Sequence, residues 1–278
     1  MPNEFVIEVL SPEHVPENVA LSNSVGWPDT VSEWRVIHQA AVVLGVRREG
    51  ELIAQGALGL FEGTGSIAKM VVAPSAQRQG LGAKVLDALL SEAERRSLSR
   101  VGLVATPAGR RLYESRGFTP EGDVSILAGS ASLQAEENGS AAVHDLDQLL
   151  AIERRFTGQA RSAVLAGRLQ DACASVIRAG GFALATPQPA SERTGPASAR
   201  IGPIFAEHED AARALISDLL LHLQCPARFD VPGEQRAFRA WLVGLGFVER
   251  GVHLEMSRGG ALPWQVSQRF GLAAQAWG

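Results

Sequence analysis

The chain of 278 residues is poor in cysteine, has a single tyrosine, and lacks both concentrated basic clusters and long apolar runs. Its two cysteines, Cys173 and Cys225, show no metal-ligand spacing and sit among apolar neighbours. They read as reduced, buried thiols, which excludes a disulfide scaffold and a cysteine metal site. Lys and Arg total 26 against 30 Asp and Glu, a formal charge of −4. Without a concentrated basic face there is no footprint for nucleic acid. No apolar run approaches the ~18 residues that span a bilayer. The opening MPNEFVIEVLSPEHV has neither a basic nor a hydrophobic leader region, so a cytoplasmic protein without a membrane partner is expected.

What is present fits an ordinary globular protein, 46% apolar and 20% charged. The length suits two domains of roughly 130–140 residues each. Residues 5–10 alternate like a strand, and 11–39 are polar and helix-like around Trp27 and Trp34. AVVLGVRREGE and LIAQGALGLFE read as a hairpin turning at Glu49–Gly50–Glu51. SIAKMVVAP reads as a strand closed by Pro74. Leu81, Val85 and Leu89, with Leu86, Leu90 and Ala93, then recur at the spacing of one buried helix face. RVGLVAT (strand), AGRRLYESRGF (short helix ending at Gly117) and VSILAG (strand) complete the set.

A Gly/Ser-rich stretch from about Gly129 to Ser140 reads as a linker, and the same order of elements then repeats. A helical stretch (Leu146–Leu169) precedes the hairpin ASVIRAG/GFALATP. Strand ARIGPIFAE, helix DAARALISDLLLHL, strand ARFDVP, helix QRAFRAWLVGLGF and strand VHLEMS follow. Gly-Phe closes the last helix of both halves, at Gly117–Phe118 and Gly246–Phe247. This implies an internal duplication of mixed α/β units. The boundaries are 1–130, a linker at 131–141, and 142–278, with an amphipathic, helix-like tail from Leu262 to Gly278.

The chemistry-bearing string is KMVVAPSAQRQGLGAKVL. A strand runs through a turn with Gly80 and Gly82 into a long helix, whose first N–H groups are unpaired and partly positive. Glycines let an anion approach those groups, and Gln77, Arg78 and Gln79 add donors and a cation. It is neither a P-loop nor a dinucleotide fingerprint.

On these residues the chain resembles the GNAT acyltransferase superfamily, whose pyrophosphate motif Gln/Arg-x-x-Gly-x-Gly/Ala is matched by Gln77, Gly80 and Gly82. LYESRGF resembles the family's Leu-Tyr-x-x-x-Gly-Phe segment at the expected distance. The resemblance implies two tandem GNAT-like domains, each a mostly antiparallel sheet flanked by helices, and acetyl-CoA as co-substrate with no metal. Backbone groups of Met70 and Val72 would pair with the pantetheine arm, and the Met70 N–H would face the thioester carbonyl. The amides from Gln79 through Gly80, Leu81 and Gly82 to Ala83 would hold the diphosphate. Tyr113 falls on the family tyrosine that serves the departing thiolate, by proton donation or by hydrogen bonding alone. Thr106 and Gly109 depart from the family's usual Asn and Ala.

The general base is not legible. Glu62, Asp29 and Glu33 are the candidate carboxylates, Trp27 is a candidate for lining an acceptor pocket, and His38 reads as a packing residue. In the second half, Glu207, Glu209 and Asp210 replace the glycine turn, and Leu242 stands where Tyr113 would be. That half resembles a degenerate GNAT-like domain without a CoA site, with Asp230 its one candidate for anchoring a cationic acceptor. The function expected is acetyl transfer to a primary amine, a small molecule or a peptide, by direct attack in a ternary complex. A CoA-binding sensor or interaction module is the alternative. A monomer and a homodimer are both compatible with the sequence.

Overall fold

The structure, a computed structural model, describes residues 5–131, 145–159, 161–178, 180–190, 197–260 and 266–277. The linker reading therefore falls largely on residues outside those described. In the first half, β1 (Ile7–Val9) leads to helices α1 (Val15–Asn23) and α2 (Val31–Ala40). Strands β2 (Ala41–Arg48), β3 (Glu51–Phe61) and β4 (Thr64–Val72) follow, then α3 (Leu81–Arg95), β5 (Arg100–Ala105), α4 (Arg110–Glu114) and β6 (Thr119–Gly129). The second half runs α5 (Leu146–Thr157), α6 (Ser162–Gln170), β7 (Ala174–Arg178), β8 (Gly181–Gln188) and β9 (Ser198–Phe205). It continues with α7 (Glu209–Leu221), β10 (Ala227–Pro232), α8 (Arg236–Gly244), β11 (Val248–Gly259) and β12 (Arg269–Gly271).

Local chemistry accounts for the elements. The hairpin β2–β3 turns through Glu49 and Gly50, both at positive φ, the geometry that follows strand twist. Helix α3 buries Leu81, Val85, Leu86, Leu89, Leu90 and Ala93 on one face against the sheet. Gly117 and Gly246, at φ 80° and 104°, end the helix before each closing strand. In both, the N–H of the next phenylalanine turns back, Phe118 to the Tyr113 carbonyl and Phe247 to that of Leu242, each at 3.2 Å.

The halves do not form separate sheets. Among the described residues all twelve strands join one sheet, ordered β1-β2-β3-β4-β5-β11-β6-β10-β9-β8-β7, with β12 on β9. β6 of the first half and β11 of the second are each inserted into the other half's part of the sheet. β11 lies between β5 and β6, while β6 lies between β11 and β10, all antiparallel. Arg100 of β5 and Ser257 of β11 both bind Glu121 at this seam. One sheet face of the first half carries α3 and α4, and the other carries α1 and α2.

Two expectations are corrected. Both cysteines are exposed, because Cys173 and Cys225 lie at the ends leading into β7 and β10 and not within them. Beyond one 3-10 turn at Val266–Gln268, the described part of the tail is extended or irregular and not the helix expected. β12 pairs antiparallel with β9, and Leu272–Trp277 then crosses to β4, where Ser66 donates to the Ala276 carbonyl at 3.0 Å. An alanine-rich run suits either periodicity, and here Ala273, Ala274, Ala276 and Trp277 are buried in the cluster beneath α1 and α2.

Arg161 fastens this tail. It donates to the Trp277 carbonyl at 2.6 Å and pairs at 2.8 Å with Glu153, which is fully buried. Replacing Glu153 with Leu would leave a buried guanidinium without its carboxylate, at a cost of about 3–5 kcal/mol. A urea-unfolding midpoint unchanged from wild type would contradict this role for the pair.

Candidate functional site

β4 and β5 are parallel and in register only from Thr64–Arg100 to Ile67–Leu103. Beyond Ile67, β4 continues to Val72 without a β5 partner, so a backbone edge from Ala68 to Val72 borders an open wedge. On its other side β4 carries a bulge. Val71 and Val72 pair with Gln55 and Ala54, Ala68 pairs with Ala57, and Lys69 and Met70 lie across from Gly56 alone. Lys69 adopts φ 52°, a left-handed conformation that costs a non-glycine residue on the order of 1 kcal/mol. Gly56 lies opposite it, where a Cβ would crowd the Met70 sulfur at 2.4 Å and Leu89 and Val85 of α3 at 2.9 Å.

The wedge ends at the turn before α3. Gly80 is the N-cap at φ 80°, with no capping side chain, and a Cβ at that position would meet no protein atom within 4 Å. The first intrahelical acceptor is the Gly80 carbonyl, taken by the Lys84 N–H at 3.0 Å. The N–H groups of Leu81, Gly82 and Ala83 precede that bond and face the helix end. Gln77, Arg78, Gln79 and Gly80 are all exposed. The Gln77 side chain donates to the Val72 carbonyl at 3.2 Å, tying the turn to β4. Arg48, which the sequence reading passed over, reaches Gln79 at 2.5 Å and adds a second cation to Arg78.

Tyr113 lies on α4, 8% exposed, with its ring edge-on to Phe118 at 5.9 Å. Burial pushes its pKa up to about 12. Thr106 accepts from the backbone of Gly109 and Arg110 through its carbonyl, opening α4.

On the opposite face the bulge is clamped to α2. Lys69 Nζ is 2.5 Å from Asp29 and 3.3 Å from Glu33, and Asp29 also accepts from the Trp34 indole at 3.1 Å. Arg200 of β9 lies 3.5 Å from Glu33. Burial alone would raise the Glu33 pKa, but Lys69, Arg200 and Arg168 outweigh it and bring it down to about 2. Burial opposes the charge on Lys69, yet Asp29 and Glu33 hold its pKa above the ordinary value.

The remaining candidates separate. Trp27 is half-buried and packs with the cluster containing Trp34. His38 bonds Asn18 at 2.9 Å. Glu62 sits in the β3–β4 turn, at the opposite end of β4 from the bulge, paired with Arg154 at 2.9 Å. Asp230 is 1% exposed, with Oδ1 held by Arg228 at 2.9 Å and Oδ2 buried without a hydrogen-bond partner. In the second half only Ala206, Glu207 and His208 separate β9 from α7, and the His208 side chain accepts from the Ala211 N–H. The amides there are capped by the protein itself, and the eight-residue turn of the first half has no counterpart. Among the described residues no cluster of His, Cys, Asp or Glu could hold a metal ion, and no helix is long and apolar enough to cross a membrane.

Comparison with known proteins agrees with this architecture. A model of the Acetyltransferase (GNAT) family matches residues 7–118, and one of the Acetyltransferase (GNAT) domain matches residues 149–271. The chain belongs to the GNAT acetyltransferase family, with two such domains in tandem. It is 30% identical over 246 residues, 86% of each protein, to the uncharacterized N-acetyltransferase YitH of Bacillus subtilis strain 168. Its fold is similar to that of a candidate acetyltransferase from Pyrococcus horikoshii, with TM-score 0.85 at 18% identity over 100% of this chain and 97% of that one. A tandem GNAT protein from the clavulanic acid biosynthesis pathway is also similar, with TM-score 0.62 at 15% identity over 93% and 99% of the two chains.

The clamp makes a pH-dependent prediction. With its pKa depressed to about 2, Glu33 contributes stability above its ordinary 4.5 that is lost as pH falls from there towards 2. Lys69→Met removes the nearest cation, so less of that contribution survives and acid unfolding, followed by circular dichroism, is expected to begin at higher pH than in wild type.

Proposed function

We propose that the chain is an acetyl-CoA-dependent N-acetyltransferase acting on a primary amine, with its working site in the first half. The observation that carries this reading is the wedge between β4 and β5, which ends at a helix N-terminus free of side-chain caps. The residues present fit coenzyme A. The β4 edge at Met70 and Val72, which lacks a β5 partner, offers backbone groups to an amide-containing arm, with the Val72 carbonyl also accepting from Gln77. The amides of Leu81, Gly82 and Ala83 face the region where a diphosphate would lie, with Arg78 and Arg48 beside it.

Acetyl-CoA supplies an activated acyl group, and direct attack by the amine on its thioester forms an amide and releases a thiol. The protein's part is to align and polarise. The bulge sets the direction of the Met70 peptide, whose N–H is the donor for the developing oxyanion. Tyr113 serves the leaving sulfur. With the phenol at about 12 and an ordinary thiol near 8.5, complete proton transfer is uphill by about 5 kcal/mol. A hydrogen bond from the phenol to the thiolate is therefore the role that fits.

Calorimetry with CoA and a thiol-release assay with an amine panel test this reading. Gly80→Glu places a carboxylate where the diphosphate would bind and is expected to lower CoA affinity at least about tenfold, or about 1.4 kcal/mol. Tyr113→Phe is expected to slow turnover by about 10- to 100-fold while leaving CoA binding intact, the scale of one charge-assisted hydrogen bond. Absence of any heat with CoA in the wild type would overturn the assignment. Tight CoA binding without turnover on any amine would instead identify a sensor.

A further inference from the structure

A recess opens where α2 meets the second half, and it is lined by Thr30, Glu33, Arg168, Gln188, Arg200 and Trp277 among others. Its polar wall is built by topology. Arg200 of β9 is directly opposite Thr186 of β8, and Gln188 follows two positions on, so the three side chains share one sheet face. Helix α6 packs against α2 and brings Arg168 to the same place.

The groups in this recess are incompletely paired. Arg168 donates to the Gly202 carbonyl at 2.9 Å, and Arg200 approaches Glu33 at 3.5 Å. Glu33 is shared with Lys69, and Asp171 is engaged by Ser32 at 2.5 Å. The Nε atoms of Arg168 and Arg200 and the Oε1 atom of Gln188 are buried with no hydrogen-bond partner. Gln188 is only 5% exposed. Burial first, and Arg200 second, bring the Arg168 pKa down to about 10 despite Glu33, Asp230 and Asp171 nearby. Two arginines and two carboxylates line the recess, and both carboxylates are already engaged, Glu33 by Lys69 and Asp171 by Ser32.

The complement of two guanidinium donors beside one amide oxygen is a planar anion with an N–H donor next to it. A relay of side-chain contacts links the recess to the β4 bulge. Arg200 touches Glu33, Glu33 touches Lys69, and Lys69 immediately precedes Met70.

Building on the acetyl-transfer reading, we propose that this recess selects acceptors that carry a carboxylate: Arg168 and Arg200 hold the carboxylate, and Gln188 accepts from an adjacent N–H. A lysine side chain and a carboxylate separate Arg200 from the Met70 backbone, so the reacting amine stands several bonds from the anion, as in an ω-amino acid. The second half, which has no CoA turn of its own, thereby supplies acceptor specificity. Arg168, Gln188 and Arg200 are specificity residues and take no part in the acyl transfer itself.

The test compares matched probes on the full chain by calorimetry, with and without CoA: lysine against cadaverine, and 6-aminohexanoate against pentylamine. Each carboxylated probe is expected to bind at least tenfold more tightly than its counterpart. Arg200→Gln and Arg168→Gln are each expected to remove most of that difference while leaving CoA and pentylamine binding unchanged. Arg200→Gln leaves Glu33 paired with Lys69, and its melting temperature serves as the folding control. Gln188→Leu is expected to weaken lysine, which has an ammonium beside its carboxylate, and to spare 6-aminohexanoate, which has none. Equal affinity within each pair, including no binding by either member, would overturn the proposal. So would a carboxylate preference that persists in both arginine variants. Carboxylate-dependent binding without acetyl transfer would support the recess and sink the enzymatic reading. Equal acetylation of pentylamine and 6-aminohexanoate would do the reverse.

Discussion

The pairing of β6 with β11 is the constraint on which the rest of the structure depends. Each strand completes a sheet that the other half began, so neither half closes without the other. Because β6 then pairs with β10 and β10 with β9, the second half is held at a fixed position relative to the first. That placement puts Arg200 against Glu33 and packs α6 against α2. The link from Glu33 to Arg200 is thus a consequence of the strand exchange, whereas Lys69, Asp29 and Glu33 meet within the first half. No local sequence feature creates that link.

The same topology explains how one half could lose its turn without losing its place. In the first half the long connection after β4 provides the exposed helix end. In the second, three residues suffice, His208 caps the helix, and the adjoining Glu209 and Asp210 suit the helix dipole as ordinary N-terminal acids. Leu242 occupies the place of Tyr113 and packs fully in the core. These substitutions favour a well-packed module over an anion-binding one, and the retained Gly246–Phe247 closure keeps the helix-to-strand geometry that the exchange requires.

Much of this was legible in the residues. Periodicity located the strands and helices of both halves, and the glycine-rich turn and Tyr113 were found as motifs because their spacing lies within contiguous sequence. What was not legible depends on contacts between distant segments. Lys69 sat inside the quoted strand as one more polar residue, and only the bulge and the approach of α2 give it partners. Glu62 looked as eligible as Asp29, since a sequence does not say at which end of a strand a carboxylate will lie relative to the wedge. Arg168, Gln188 and Arg200 belong to the half in which the sequence singled out Asp230 alone. The tail was misread because alanine and leucine at short spacing satisfy a helix face and a buried extended segment alike.

The order of synthesis gives the strand exchange a further meaning. The slot beside β5 is filled by a strand whose residues follow it by more than half the chain's length. During translation the first half must wait with an open edge until the last strand emerges from the ribosome. Such an unpaired edge invites association with other nascent chains. Holding both halves on one polypeptide places the correct partner at high local concentration as soon as it emerges.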